Sequence, residues 1–437
     1  MNYRDYLRCG RPYKAKPYFQ IKPSNSIENE YEDNRMILAK DQYYDLNSIY
    51  TKINNNVLVV GPSGSGKTRS VVIPNILQAV GSYIISDPKG NLYDKYSEYL
   101  KERGYRVLRL DFINPEKSIH YNPFNYIHNT RDIIKYSNML LFSDKNKVNS
   151  TEPYWDLAAK ELLTSLLSYL IEFTPENYHT IENVLRLAMN CKISENGRKS
   201  VTEQLMAIAE QKNPNSFAVR KFNQVMVGAT KTIQSILVTL TMRLGNLDFP
   251  ELNDMMLYDE VDITSIGTTK TALFVVISDT DRSMDNIANL FFTQAMNELC
   301  YFADNYCENN ALPIHTRFIM DDFATNVQIF DFPRMISSYR SRNISSMLMI
   351  QTESQLEQLY GYDKNTIIGN CDTYLYLGGN DLETAEHISK RTNLPLKKIL
   401  YMPIGTNWIF RRGEEPFNGI NFELEDYEQM KGNENEL

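Results

Sequence analysis

Eight residues constrain this chain more than any other stretch: Gly61-Pro62-Ser63-Gly64-Ser65-Gly66-Lys67-Thr68. They follow the apolar run Val57-Leu58-Val59-Val60 and precede a segment with helical character. A strand, a glycine-rich turn ending in Lys-Thr and a helix is the order that a phosphate-binding loop requires. Closely spaced glycines let several backbone N–H groups converge on one phosphate, and the helix adds its positive end. Gly61 to Thr68, with Arg69 directly behind them, are therefore the expected nucleotide-binding residues. Lys67 is expected at the terminal phosphates and Thr68 at Mg²⁺.

From Val57 onward short apolar strands alternate with amphipathic helices. Strands are expected at Val57–Val60, Tyr83–Ser86 and Val107–Phe112, with helices at Lys67–Ala79 and Asn91–Arg103 between them. That order implies a parallel sheet with helices on both faces, an α/β fold. The middle of the chain reads differently. From about Arg131 to Asp254 helical periodicity dominates, with Leu162, Leu163, Leu166, Leu167 and Leu170 on one face. Ile233, Ile236, Leu237, Leu240 and Leu244 share another, while Lys192–Phe217 is polar and is expected to hold a loop. The strand pattern returns at Ala272–Ser278, then at Arg317–Met320, Ile344–Ile350 and Thr373–Leu377. The reading is an all-α domain inserted into a split α/β domain. The expected boundaries are an arm and lead-in at 1–50, sheet halves at 51–128 and 259–420, the insertion at 129–258 and an acidic tail at 421–437.

The chain of 437 residues is 42% hydrophobic, which is ample for sizeable cores. No apolar run approaches the roughly 18 residues that span a bilayer. The five cysteines form no CxxC pair, so reduced thiols and a cytoplasmic setting are expected. A net charge of −8 argues against non-specific coating of DNA, but not against a basic channel. The ends are uneven: residues 1–22 sum to +5 and residues 421–437 to −5. Both read as solvated ends, or as a basic arm near membrane or nucleic acid and an acidic tail for a partner.

Phe318-Ile319-Met320-Asp321-Asp322 is an apolar strand ending in paired carboxylates. Beside a phosphate loop, Asp321 is expected to hold Mg²⁺ through water and Asp322 to orient the attacking water. Gln351 ends the next strand, where a glutamine can bond the γ-phosphate. Arg340 and Arg342 precede that strand; one is expected as an arginine finger for a neighbouring subunit, or both as a solvated helix end. Asp87-Pro88-Lys89-Gly90 follows the second strand, either as plain turn chemistry or as support for Mg²⁺ or phosphate.

Together with Tyr154-Trp155, Lys231 to Ile236, Phe323-Ala324, Gln355-Leu356 and Gly378 to Asp381, these motifs resemble the coupling-protein ATPases of conjugative type IV secretion, the TraG/TraD-type family. The resemblance covers roughly Asn54 to Gly413. It implies a RecA-like P-loop NTPase with an inserted all-α domain, using ATP and Mg²⁺. It implies a ring, typically hexameric, that delivers DNA with an attached relaxase to the secretion channel. The catalytic set it implies is Lys67, Asp322, Gln351 and Arg340, with Thr68 and Asp321 at the metal. The family usually carries an N-terminal membrane anchor and a glutamate where Asp322 stands. A naturally soluble version, a cytosolic piece, or a chain docked at the inner face of the membrane by a separate protein is therefore expected, in each case in the cytoplasm. Two other readings share the loop: a chromosome-segregation-type DNA translocase, and a nucleotide-dependent docking adaptor with weak hydrolysis.

Overall fold

Continuous apolar runs with little alternation demand burial on both faces, and that is how the central strands are used. A computed structural model describes residues 7–8, 34–142, 153–191, 198–323, 328–425 and 427. Two strands pair first, β1 (Arg35–Ala39) and β2 (Gln42–Asp45). The main sheet is built from β3 (Val57–Val60), β4 (Ser82–Asp87), β5 (Arg106–Asp111), β6 (Thr271–Val276), β7 (Thr316–Met320), β8 (Ile344–Ile350), β9 (Thr373–Tyr376), β10 (Thr406–Arg411) and β11 (Phe417–Ile420). Its nine strands lie in the order β11-β10-β9-β3-β8-β7-β4-β6-β5. From β9 to β5 every pairing is parallel; β10 and β11 add on antiparallel. Every residue of β3, β4, β6, β7 and β8 is buried. The α/β fold with a mostly parallel sheet is thus present, and all seven expected strands are in it.

The chain divides into two compact units. One holds the described residues of Met1–Pro17, Asn114–Val261 and Ser283–Gln294. The other holds those of Tyr18–Ile113, Asp262–Arg282 and Ala295–Leu437, with the whole sheet. In the first unit, helix Pro153–Phe173 is central. It packs against Thr130–Phe142, Ile181–Met189, Phe217–Met226 and Thr230–Leu244. Its residues from Leu162 to Leu170 are buried all round rather than on one face, because helices surround it.

Three features go beyond the sequence expectations. The polar segment Lys192–Phe217 contains the helix Val201–Lys212, started by a capping box in which Ser200 and Glu203 satisfy each other's backbone N–H groups. In the described part of the lead-in, Arg35–Asp45 forms a hairpin whose Ile37 exchanges two hydrogen bonds with the Asn75 side chain, at 3.1 and 2.7 Å. Past Arg411 the chain forms β11 before its acidic end. Most of the basic arm and of the tail lies outside the described residues. Arg8, partly exposed, is ion-paired to Glu182 and Asp254.

The capping box yields a first prediction. Ser200→Ala should destabilise the helical unit by about 1 kcal/mol. Faster amide exchange confined to residues 201–212 and a lower denaturation midpoint would register it.

Candidate nucleotide-binding site

The loop leaves β3 at Gly61, whose N–H donates to Ile350 O of β8 at 3.1 Å. Only glycine fits at 61: a Cβ there would stand 2.5 Å from Ser65 Oγ and 2.9 Å from Leu377 Cβ. Gly66 turns the chain at φ +95°, a left-handed conformation that L side chains resist. From Lys67 the chain enters a wide π-helical stretch, Lys67–Val72, which runs into the α-helix Ile73–Leu77. That places Thr68 in the helix's first turn, with its side chain turned toward the end of β7.

There the two halves of the sequence meet. Thr68 Oγ1 donates to Asp321 Oδ2 at 2.6 Å. The residues stand 253 positions apart, and the bond is charge-assisted. Lys67 is buried, with its ammonium on Gly61 O at 2.6 Å and Pro62 O at 3.1 Å. Burial lowers its pKa, while the Asp322 and Asp321 carboxylates oppose that shift. Burial pushes the Asp321 carboxyl up to about 6, against the Thr68 hydrogen bond. Asp322 follows at φ +52°, a conformation that Asp tolerates better than most side chains. A cavity of about 290 Å³ opens at this corner, lined by Thr68, Asp321, Asp322, Asp87, Lys89 and Lys95 among others. A hydroxyl and a carboxylate at hydrogen-bond distance, at the end of a glycine-rich loop, form a hard-oxygen donor set. It suits Mg²⁺ and a phosphate chain.

Gln351 follows β8, the strand between β3 and β7, so its backbone leaves the sheet between Gly61 and Asp321. Its N–H donates to Gln355 Oε1 at 2.8 Å. Arg340 is not brought to the loop of its own chain. It precedes β8, so the length of that strand, roughly 23 Å, separates it from the rim. Its guanidinium donates to Ser48 O at 3.0 Å, and Arg342 pairs with Asp304 at 2.8 Å. Arg69 points away from the cavity's walls and pairs with Glu423 at 3.2 Å and Glu425 at 3.5 Å.

Asp87 lies at the rim as expected, but its carboxylate is spent on its own turn. It accepts the Tyr93 N–H, in the first turn of the helix Asn91–Glu102, at 2.9 Å; burial still raises its pKa. Lys89 pairs with Asp279 at 3.3 Å. Two contacts to the loop escaped sequence reasoning. Gly379 backs onto Pro62, close enough that a Cβ would meet its ring at 3.4 Å. Asn421 Nδ2 donates to Ser65 O at 3.4 Å. The Gly378-Gly379 pair was a signal for the first; a single asparagine after β11 gave none for the second.

Residues 20–393 match the family described as Type IV secretory system Conjugative DNA transfer. The chain belongs to that family. It is 23% identical over 352 residues to the type IV secretion system-coupling protein VirD4 of Bartonella henselae, covering 77% of this chain and 53% of that one. It is 24% identical over 342 residues to Protein VirD4 of Agrobacterium fabrum, covering 76% and 48%. The chain spans about half the length of these relatives. Among solved structures, the plasmid coupling protein TrwB superposes with a TM-score of 0.62 at 13% identity, over 84% of both chains. The shared fold is the RecA-like P-loop NTPase with a mostly parallel central sheet and helical regions.

The Asp321 shift fixes a pH dependence. Its folded value lies above the usual 3.8, so the folded chain holds a proton that the unfolded chain lacks between pH 3.8 and about 6. This group's contribution to stability is present below 3.8 and lost as pH rises through 6. A divalent cation requires the carboxylate, so its affinity should drop about tenfold per pH unit below 6 and level off above. Mn²⁺ titration from pH 5 to 8 by paramagnetic resonance measures this. Asp321→Asn should abolish the dependence.

Proposed function

We propose that this chain is an ATP-driven coupling protein. It recruits DNA, with an attached relaxase, and moves it to a type IV secretion channel during conjugative transfer. The observation that carries this reading is the 2.6 Å Thr68–Asp321 hydrogen bond, which joins the phosphate loop to the acidic strand end in a chain of this family. The related TrwB has been solved in complex with ADP and Mg²⁺. In this chain Gly61 to Thr68 would hold the phosphates, and Thr68 with Asp321 the Mg²⁺. The metal supplies charge neutralisation at the terminal phosphates. Lys67 would leave the Gly61 and Pro62 carbonyls for the phosphate chain. Asp322 orients the attacking water, and Gln351 reports the terminal phosphate to the strands beside it. Arg340, distant from its own loop, serves the neighbour's site in a hexameric ring.

Among the described residues no helix is long and apolar enough to cross a membrane. A peripheral position at the inner face, through another protein, fits this reading. The second reading is a nucleotide-dependent adaptor with weak hydrolysis. Asp322 favours it, being one methylene shorter than glutamate.

ATP hydrolysis with and without single-stranded DNA tests the proposal. Wild type should be stimulated by DNA, and Lys67→Ala should lose about 10²-fold or more of turnover. Equal turnover in both would remove the site assignment. Arg340→Ala should keep nucleotide affinity and lose turnover, and mixing it with Lys67→Ala protein should restore activity in mixed rings. Failure of complementation despite proven mixing removes the trans role. Unchanged turnover without DNA stimulation favours the adaptor.

A further inference from the structure

One stretch of the sheet-bearing unit departs from the charge balance of the chain. Residues 387–413 carry Lys390, Arg391, Lys397, Lys398, Arg411 and Arg412 and no carboxylate, while the whole chain has a net charge of −8. Three of these cations have partners. Arg391 lies over the Phe410 ring at 4.0 Å, Arg411 pairs with Glu414 at 2.6 Å and Arg412 with Asp372 at 3.2 Å. Lys390, Lys397 and Lys398 are exposed, with no partner among the described residues. Lys390 shares its helix, Leu382–Thr392, with the exposed Glu386 one turn earlier. Lys397 and Lys398 have no carboxylate on their own helix, Leu396–Leu400, which is anchored by the fully buried Ile399. The Tyr401 N–H donates to Lys397 O at 3.1 Å, so the tyrosine stands one helical turn beyond that lysine. Tyr401 is 76% exposed, and Ile404, three residues on, is completely so.

A solvated helix face is normally laced with charges of both signs. Here two free ammonium groups stand beside an open aromatic ring and an open isoleucine. Lysines attract phosphates, and an aromatic ring offers a flat face to any base. A duplex keeps its base faces inside the stack, so the two features together fit an unpaired strand. An acidic peptide would answer the lysines but not the ring.

A second observation ties this surface to the nucleotide chemistry. Ile404 is followed by Gly405, which turns the chain at φ +85° and whose carbonyl accepts the Asn421 N–H at 2.8 Å. Asn421 is buried; its Oδ1 accepts Asn407 Nδ2 at 3.0 Å, and its Nδ2 donates to Ser65 O at 3.4 Å. A Cβ at Gly66 would stand 3.7 Å from the same Nδ2. One asparagine therefore bridges the exposed turn and the phosphate loop by two hydrogen bonds.

We propose that Lys397, Lys398, Tyr401 and Ile404 form a contact surface for single-stranded DNA, and that Asn421 links its occupancy to the phosphate loop. This surface gives the coupling-protein reading, on which it rests, a place where the strand is held. Phosphates take the lysines and a base takes the Tyr401 ring. A shift of the turn at Gly405 then reaches Ser65 through Asn421.

The probe is a fluorescent oligothymidylate of about 20 nucleotides, long enough for one site, with anisotropy read on the full chain without nucleotide. Lys397→Ala with Lys398→Ala should flatten the dependence of log affinity on log salt by about 1.4, the change for two phosphate contacts on a single strand. Tyr401→Ala should weaken binding about tenfold at an unchanged slope, and Tyr401→Phe should restore it. The oligomer should shift the affinity for fluorescent ADP with Mg²⁺ about fivefold or more, and ADP should shift that for the oligomer by the same factor. Asn421→Ala should cancel both shifts and leave the affinity for the oligomer alone unchanged. None of these measurements needs hydrolysis, so a wild type that passes them without turning over ATP loses the motor reading and keeps the surface. Oligomer binding indifferent to the lysine and tyrosine changes overturns the proposal. So do lysine and tyrosine changes that release the chain from phosphatidylserine vesicles but not from the oligomer, since the surface then serves a membrane. An ADP affinity that ignores the oligomer in wild type removes the role of Asn421.

Discussion

β8 lies between β3 and β7, and the rim chemistry depends on that pairing. Parallel strands carry their C-terminal ends to one edge, where an open α/β sheet presents its ligands. Val60 pairs with Ile350 and Met320 with Leu348, so the loop, Gln351 and the Asp321-Asp322 pair leave the sheet side by side. A one-residue slip in either ladder would turn every side chain on the moved strand to the other face. Both faces of β3, β7 and β8 are buried, so a slip would have to repack two close-packed layers at once. That packing holds the register in which Thr68 and Asp321, two residues with no local reason to meet, stand 2.6 Å apart.

Below the rim a polar network fixes the height of the phosphate-loop helix. Arg317, four residues before Asp321 on β7, is 2% exposed. Its guanidinium reaches Ser345 Oγ at 3.3 Å and Asn75 Oδ1 at 3.4 Å, and burial brings its pKa down to about 10. Asn75 also holds Ile37 of β1 and Val71 O. Tyr83 Oη donates to Asn75 O at 2.9 Å from β4. A charge placed this deep is costly, and although Nη2 has no partner among the described residues, the bonds to Ser345 and Asn75 that are made tie the helix to β7. Its position decides where Thr68 points.

The parallel strands were legible because double-sided burial leaves no polar alternation to confuse the pattern. β10 and β11 were not. Phe417 and Ile420 sit exposed on a sheet edge, and short, mixed-polarity segments carry weak strand signal. The helix Val201–Lys212 was hidden by a thin core face of Thr202, Leu205, Met206 and Ala209, although its Ser200-x-x-Glu203 start was readable. At the rim, spacing singled out Lys67, Thr68 and Asp321 from their places relative to strand ends, and the structure brings the last two into contact. It placed Asp87 at the rim but had no means to see that the helix N–H groups would claim its carboxylate. Arg69 illustrates the same limit: its partners, Glu423 and Glu425, lie more than 350 residues away.

The ionisable groups at the rim share one direction of strain. Burial raises the pKa of Asp321 and of Asp87 and lowers that of Lys67, so each is pushed toward its uncharged form. A site arranged this way is under-compensated by its own protein. A cation beside Asp321 would favour its carboxylate, and an anion beside Lys67 its ammonium. The same economy bears on Asp322. Its left-handed φ of +52° favours a short side chain that bonds locally, at the expense of reach. Backbone shape at the end of β7 and side-chain reach are in competition there, and a short residue in the left-handed region favours the first.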